Sequence, residues 1–154
     1  PVIANDSFEP VSLTPYVPSS WINKVAGCFD ENLTHPVYRD GNDFQQEPAT
    51  SQRPAMHLAS AADWLAAGKM YFMGGDFRLF NLPRTQSLPL LIATALLAGA
   101  RVVCNEDHPW LRTELGKPIG APESDSNRII WTRQYERGSV RVNWTTKIGE
   151  VIAT

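Results

Sequence analysis

Three short segments gather side chains able to do chemistry just after runs of strand-like residues. Val25-Ala26-Gly27-Cys28-Phe29 leads into Asp30-Glu31, Lys69-Met70-Tyr71-Phe72-Met73 into Gly74-Gly75-Asp76, and Arg101-Val102-Val103-Cys104 into Asn105-Glu106-Asp107-His108-Pro109-Trp110. Carboxylates in pairs can divide the work of general acid and general base, the second also serving as nucleophile. The third segment adds an imidazole and an indole to its acids, a mixture that stacks on and hydrogen-bonds to a pyranose ring. Two glycines before Asp76 allow backbone to approach a ligand closely. Each segment also has an ordinary reading, in which the acids are solvated loop residues and Trp110 packs against the protein.

The elements around these segments alternate. Trp21 to Phe29 reads as a buried strand, Pro54 to Ala67 as a helix with apolar residues at helical spacing and Gly68 as its stop. A strand at 69–73 follows, and then Leu88 to Ala98, a helix apolar nearly all round, with Gly99 as its C-cap. Arg101 to Cys104 is the next strand. Such alternation implies parallel strands joined by crossover helices. Residues 1–20 are proline-rich and read as an extended arm, and His35 to Arg53 reads as a long polar loop.

The tail has a different period. Ile129 to Trp144 alternates apolar and polar residues about a turn centred near Arg137-Gly138, which is the pattern of a β-hairpin. The face carrying Trp131, Arg133 and Tyr135 is expected to turn inward, met by Val140, Val142 and Trp144, with Arg141 and Asn143 outside.

Leu115-Gly116-Lys117-Pro118-Ile119-Gly120 followed by this hairpin resembles the end of glycoside-hydrolase (β/α) barrels of the endo-polygalactosaminidase type. In those proteins a Leu-Gly-x-Pro-x-Gly segment leads into an Arg-x-aromatic-x-x-Gly-x-Val-x-Val-Asn hairpin. Gly27 and Glu31 also match the barrel strand that ends Asp-Gly-hydrophobic-x-x-Glu, although Ala26 stands where those barrels often place Asp. The resemblance implies an α/β fold, a partial (β/α) barrel over residues 21–114 with a β-hairpin or sheet extension over 115–154. A whole barrel takes about 250 residues, so the remaining strands would lie in an absent segment or a second chain. It further implies hydrolysis of a polysaccharide or oligosaccharide, with Glu31 and Glu106 catalytic and Asp30, Asp76, Asp107, His108 and Trp110 binding substrate. The alternative is a non-catalytic structural or assembly protein whose amino-terminal arm wraps a partner.

Composition sets outer bounds. With 154 residues, 43% hydrophobic and 19% charged, the chain has globular proportions and room for one core. A formal charge of -2 leaves no electrostatic footprint for nucleic acid. Leu88 to Ala100 is too short to span a bilayer, so no membrane partner is expected. His35, His57 and His108 lack metal-ligand spacing, and no P-loop or dinucleotide fingerprint occurs, so no cofactor is expected. Cys28 and Cys104 read as buried thiols or, alternatively, as a disulfide. Asn-x-Ser/Thr triplets at Asn5, Asn32 and Asn143 would suit a secreted, extracellular protein.

Overall fold

The computed structural model describes residues 3–5, 26–30, 37–40, 43–46, 58, 61–74, 82–104 and 106–154. Strands β1 (Ile3–Asn5), β2 (Gly27–Asp30), β3 (Val37–Asp40) and β4 (Asp43–Gln46) come first. Residues 61–66 are helical and are called α1; Leu58 is helical as well. Then follow β5 (Met70–Gly74), α2 (Arg84–Ala98), β6 (Arg101–Val103) and a 3-10 turn, Pro109–Arg112. The chain continues with β7 (Pro118–Ser124), β8 (Ile130–Tyr135), β9 (Gly138–Asn143) and β10 (Ile148–Ala153).

The first sheet has the order β1-β2-β5-β6, with every neighbouring pair parallel. The strands expected near Met70 and Val102 pair in this way, and α2 crosses between them. The partial (β/α) barrel is not what forms. Among the described residues the parallel sheet is an open one of four strands, and no barrel closes. Strand–helix alternation is common to open and closed parallel sheets, whereas closure depends on strand number and stagger, which the alternation does not encode. At the tail the expected hairpin does form, as β8 and β9, and it is the middle of a four-stranded antiparallel sheet, β10-β9-β8-β7. Two smaller elements were also unforeseen. Ile3–Asn5, inside the stretch read as an arm, pairs with β2, and β3 with β4 forms an antiparallel hairpin inside the stretch read as a loop.

Helix α2 explains why its sequence has no polar face. It contacts β5 and β6 of the parallel sheet and also β8, β9 and β10 of the antiparallel one. Leu90, Leu91, Ile92, Ala93, Ala95 and Leu97 are fully buried around its circumference. Thr94 is buried as well, and its hydroxyl donates to the Leu90 carbonyl at 2.7 Å, which removes the cost of an unpaired polar group. The parallel sheet presents Tyr71 and Met73 to this core, joined by Ala61 and Trp64 of α1. The antiparallel sheet presents Val140, Val142, Trp144 and Tyr135. Trp131 and Arg133 lie opposite Val142 and Val140, on the expected inward face, while Arg141 is exposed.

The turn between β8 and β9 is Glu136-Arg137, one residue earlier than the sequence suggests, because Tyr135 pairs with Gly138. Neither turn residue has a positive φ; Gly138, just beyond them, does, at 148°. A Cβ at Gly138 would collide with the Ile152 carbonyl oxygen and approach Leu115 Cδ2 to 2.8 Å. Glycine is therefore required there for close packing between β9, β10 and the segment before β7.

Candidate functional site

The parallel direction of β2, β5 and β6 fixes where the strand-end residues go. Asp30 is in register with Met73, and Met73 with Val102, so the carboxyl ends of all three strands reach the same edge of the sheet. Asp30 closes β2 at this edge. Glu31 and Asp76 lie outside the described residues, as does Asn105, and so does the expected convergence of Glu31 and Asp76 with Glu106 or Asp107. The segment beyond β6 continues this edge.

That segment is shaped by its own short-range bonds. Cys104 is a free, half-buried thiol in this structure, and it donates to the Glu106 carbonyl at 3.3 Å. His108 then caps the 3-10 turn: its Nδ1 accepts the Trp110 amide at 3.3 Å. Pro109 occupies the first position of the turn, where a missing N–H costs nothing. The cap brings the two rings together edge to face, with centroids 4.9 Å apart and planes inclined at 71°. Because Nδ1 accepts, the neutral imidazole carries its proton on Nε2 and is a donor on its far side.

The carboxylates are not equivalent. Asp107 is exposed and forms an ion pair with Arg112, which is also exposed, so its charge is answered by a neighbour in a solvated setting. Glu106 is half-buried and closer to the strand end. Trp110 is half-buried and packs against the core cluster, leaving part of the indole on the surface. Glu106, Asp107, His108 and Trp110 therefore share one short segment, in which the two rings are in contact. Among the described residues no group of three or more His, Cys, Asp or Glu is arranged to hold a metal ion, and no helix is long and apolar enough to cross a membrane.

Sequence reasoning placed Arg133 on the inward face without a task, and the structure gives it one. Its Nη1 donates to the Leu97 carbonyl at 3.0 Å, while Nε and Nη2 both donate to the Gly120 carbonyl, at 3.2 and 3.1 Å. Tyr135 donates its hydroxyl to the Leu96 carbonyl. Both side chains thus occupy carbonyls at the end of α2, beside the bonds from the Gly99 and Ala100 amides that close the helix. The signal available in advance was an arginine and a tyrosine two residues apart on a buried strand face.

No known family model matches this sequence. No curated protein matches it either.

Proposed function

We propose that this chain is a glycoside-hydrolase-like protein that binds and acts on a polysaccharide or oligosaccharide at the carboxyl edge of its parallel sheet. One observation carries the proposal: β2, β5 and β6 run the same way, so Asp30 and the Glu106-Asp107-His108-Trp110 segment belong to one sheet edge. Ligands of open parallel sheets bind outside the carboxyl ends of the strands. The chemistry of the segment agrees with a sugar ligand. A half-exposed indole offers an apolar face to a pyranose ring, and His108 and the two carboxylates offer hydrogen bonds to its hydroxyls. In this reading Glu31 and Glu106 are the catalytic pair, one protonating the leaving oxygen and the other acting as nucleophile or base.

The test has a binding arm and a catalytic arm. Soluble oligosaccharides of neutral, acidic and amino sugars are screened for a rise in melting temperature of the full chain, since a ligand of the folded state alone stabilises it. Trp110→Ala should abolish the rise given by the best sugar while the protein remains folded. Glu31→Gln and Glu106→Gln should each lower hydrolysis of that sugar by a factor of about 10²–10⁴. A chain that no sugar stabilises, or one whose turnover survives both glutamine substitutions, would overturn the reading.

A further inference from the structure

Among the described residues β10 and β7 are the outer strands of the antiparallel sheet, and they are built differently. β7 contains Pro118 and Pro122, which have no N–H to offer, and its pairing with β8 is interrupted between Ile119 and Glu123. Prolines and bulges of this kind blunt an edge against further strand pairing. β10 has neither proline nor lysine and keeps unbroken register with β9 along its whole length.

The phase of the free amides follows from one bond. The Thr154 amide donates to the Arg137 carbonyl, so Thr154, Ile152, Glu150 and Ile148 direct their backbone groups toward β9. Gly149, Val151 and Ala153 therefore direct theirs away from β9, toward the edge. On the outer face Ile148 and Ile152 are 46% and 52% exposed. Between them Glu150 is paired with Arg141 across the sheet at 3.2 Å.

We propose that β10 pairs antiparallel with β10 of a second copy of this chain, about a two-fold axis at Ile152. Charge and burial argue against the two registers on its inner side. An axis at Glu150 would set two like charges directly opposite, which destabilises a strand pair. An axis at Val151 would need the edge amide of Gly149, which is buried where β10 crosses α2. The axis at Ile152 uses only the amides of Val151 and Ala153, each exchanging N–H···O bonds with the other residue in the second copy. It sets Ile152 against its own equivalent and Glu150 against Thr154. Such an interface is self-complementary, as a two-fold contact must be, and joins the two antiparallel sheets into one. Its small area makes the dimer weak and dependent on concentration.

Sedimentation of the full chain across a range of concentrations should show a mass rising from one copy toward two. Ile152→Lys puts like charges at the axis without touching the core. It should weaken the dimer about tenfold or more, with the urea midpoint of the monomer unchanged. Under mild oxidation Ile152→Cys should give a covalent dimer, because facing residues at the axis approach disulfide distance, whereas Glu150→Cys should not. The cysteine pair reads the register even if the lysine variant folds poorly. A chain that stays monomeric at every concentration would overturn the proposal. So would a dimer indifferent to Ile152→Lys, equal cross-linking from Glu150→Cys, or a monomer that takes up an unrelated strand peptide on this edge.

Discussion

Tyr135 joins a buried ring to a hydrogen bond on the last turn of α2. Burial pushes its phenol above the usual value of 10.0, and the nearby Arg133 guanidinium opposes that rise without cancelling it. A phenol whose folded pKa is raised keeps its proton longer in the folded chain than in the unfolded one. Its contribution is fully present below pH 10.0 and is lost as the pH rises through the folded value. Tyr135→Phe should therefore cost about 0.5–1.5 kcal/mol at neutral pH, the worth of a typical hydrogen bond. The difference between the two proteins should shrink as pH climbs above about 10. Urea midpoints of both proteins measured from neutral to alkaline pH decide this, and a constant difference would show that the phenol does not ionise differently on folding. Lys147 shifts the other way: burial lowers its ammonium pKa, so its share of stability improves with rising pH below 10.5. Comparing Tyr135→Phe with the parent chain leaves Lys147 the same in both and removes that opposing trend.

At the scale of elements, the β8–β9 hairpin was the most legible part of the sequence, because a two-residue period assigns each side chain to a face without tertiary knowledge. Val140 and Val142 are fully buried, and Arg141 between them is exposed and paired with Glu150. Val142→Asp should destabilise the protein by at least about 1.5–3 kcal/mol, the transfer value of the lost side chain, with the desolvated carboxylate adding to it. Arg141→Ser removes an exposed ion pair and should cost about 0–1 kcal/mol. Chemical denaturation of the two variants checks the assignment, and equal losses would reverse it. The β3–β4 hairpin was not legible, since Val37–Asp40 and Asp43–Gln46 are mostly polar and their sequence shows no apolar alternation. That residues 106–110 lie just past a strand was legible because they follow a strand-like run, and the contacts that shape this segment are local. The clasp of Arg133 on Leu97 and Gly120 was not: it joins residues far apart in sequence, and no period marks it.

Across the whole molecule the governing fact is that α2 is shared by two sheets. An all-apolar helix states that it is buried but not by what, so the sequence pattern was equally compatible with a helix packed on a closing barrel. The antiparallel sheet replaces that arrangement, and it comes close to α2 at Gly149. A Cβ there would stand 2.6 Å from Ala93 Cβ and 2.8 Å from the Pro89 carbonyl oxygen. Contacts so short force one layer to move, and overpacking of this kind costs about 1–3 kcal/mol. Gly149→Ala should lower stability by that amount. Ala93→Gly alone should cost about 1 kcal/mol through helix propensity, yet it removes the nearest of the three close atoms. The added loss from Gly149→Ala should then be smaller in the Ala93→Gly background than in the parent, with the Pro89 carbonyl oxygen and Leu90 Cα accounting for what remains. A double-mutant cycle measured by urea denaturation reads this coupling directly. Strict additivity would mean that the sheet and the helix are not in limiting contact at this point, and that the two layers are held apart by side chains elsewhere.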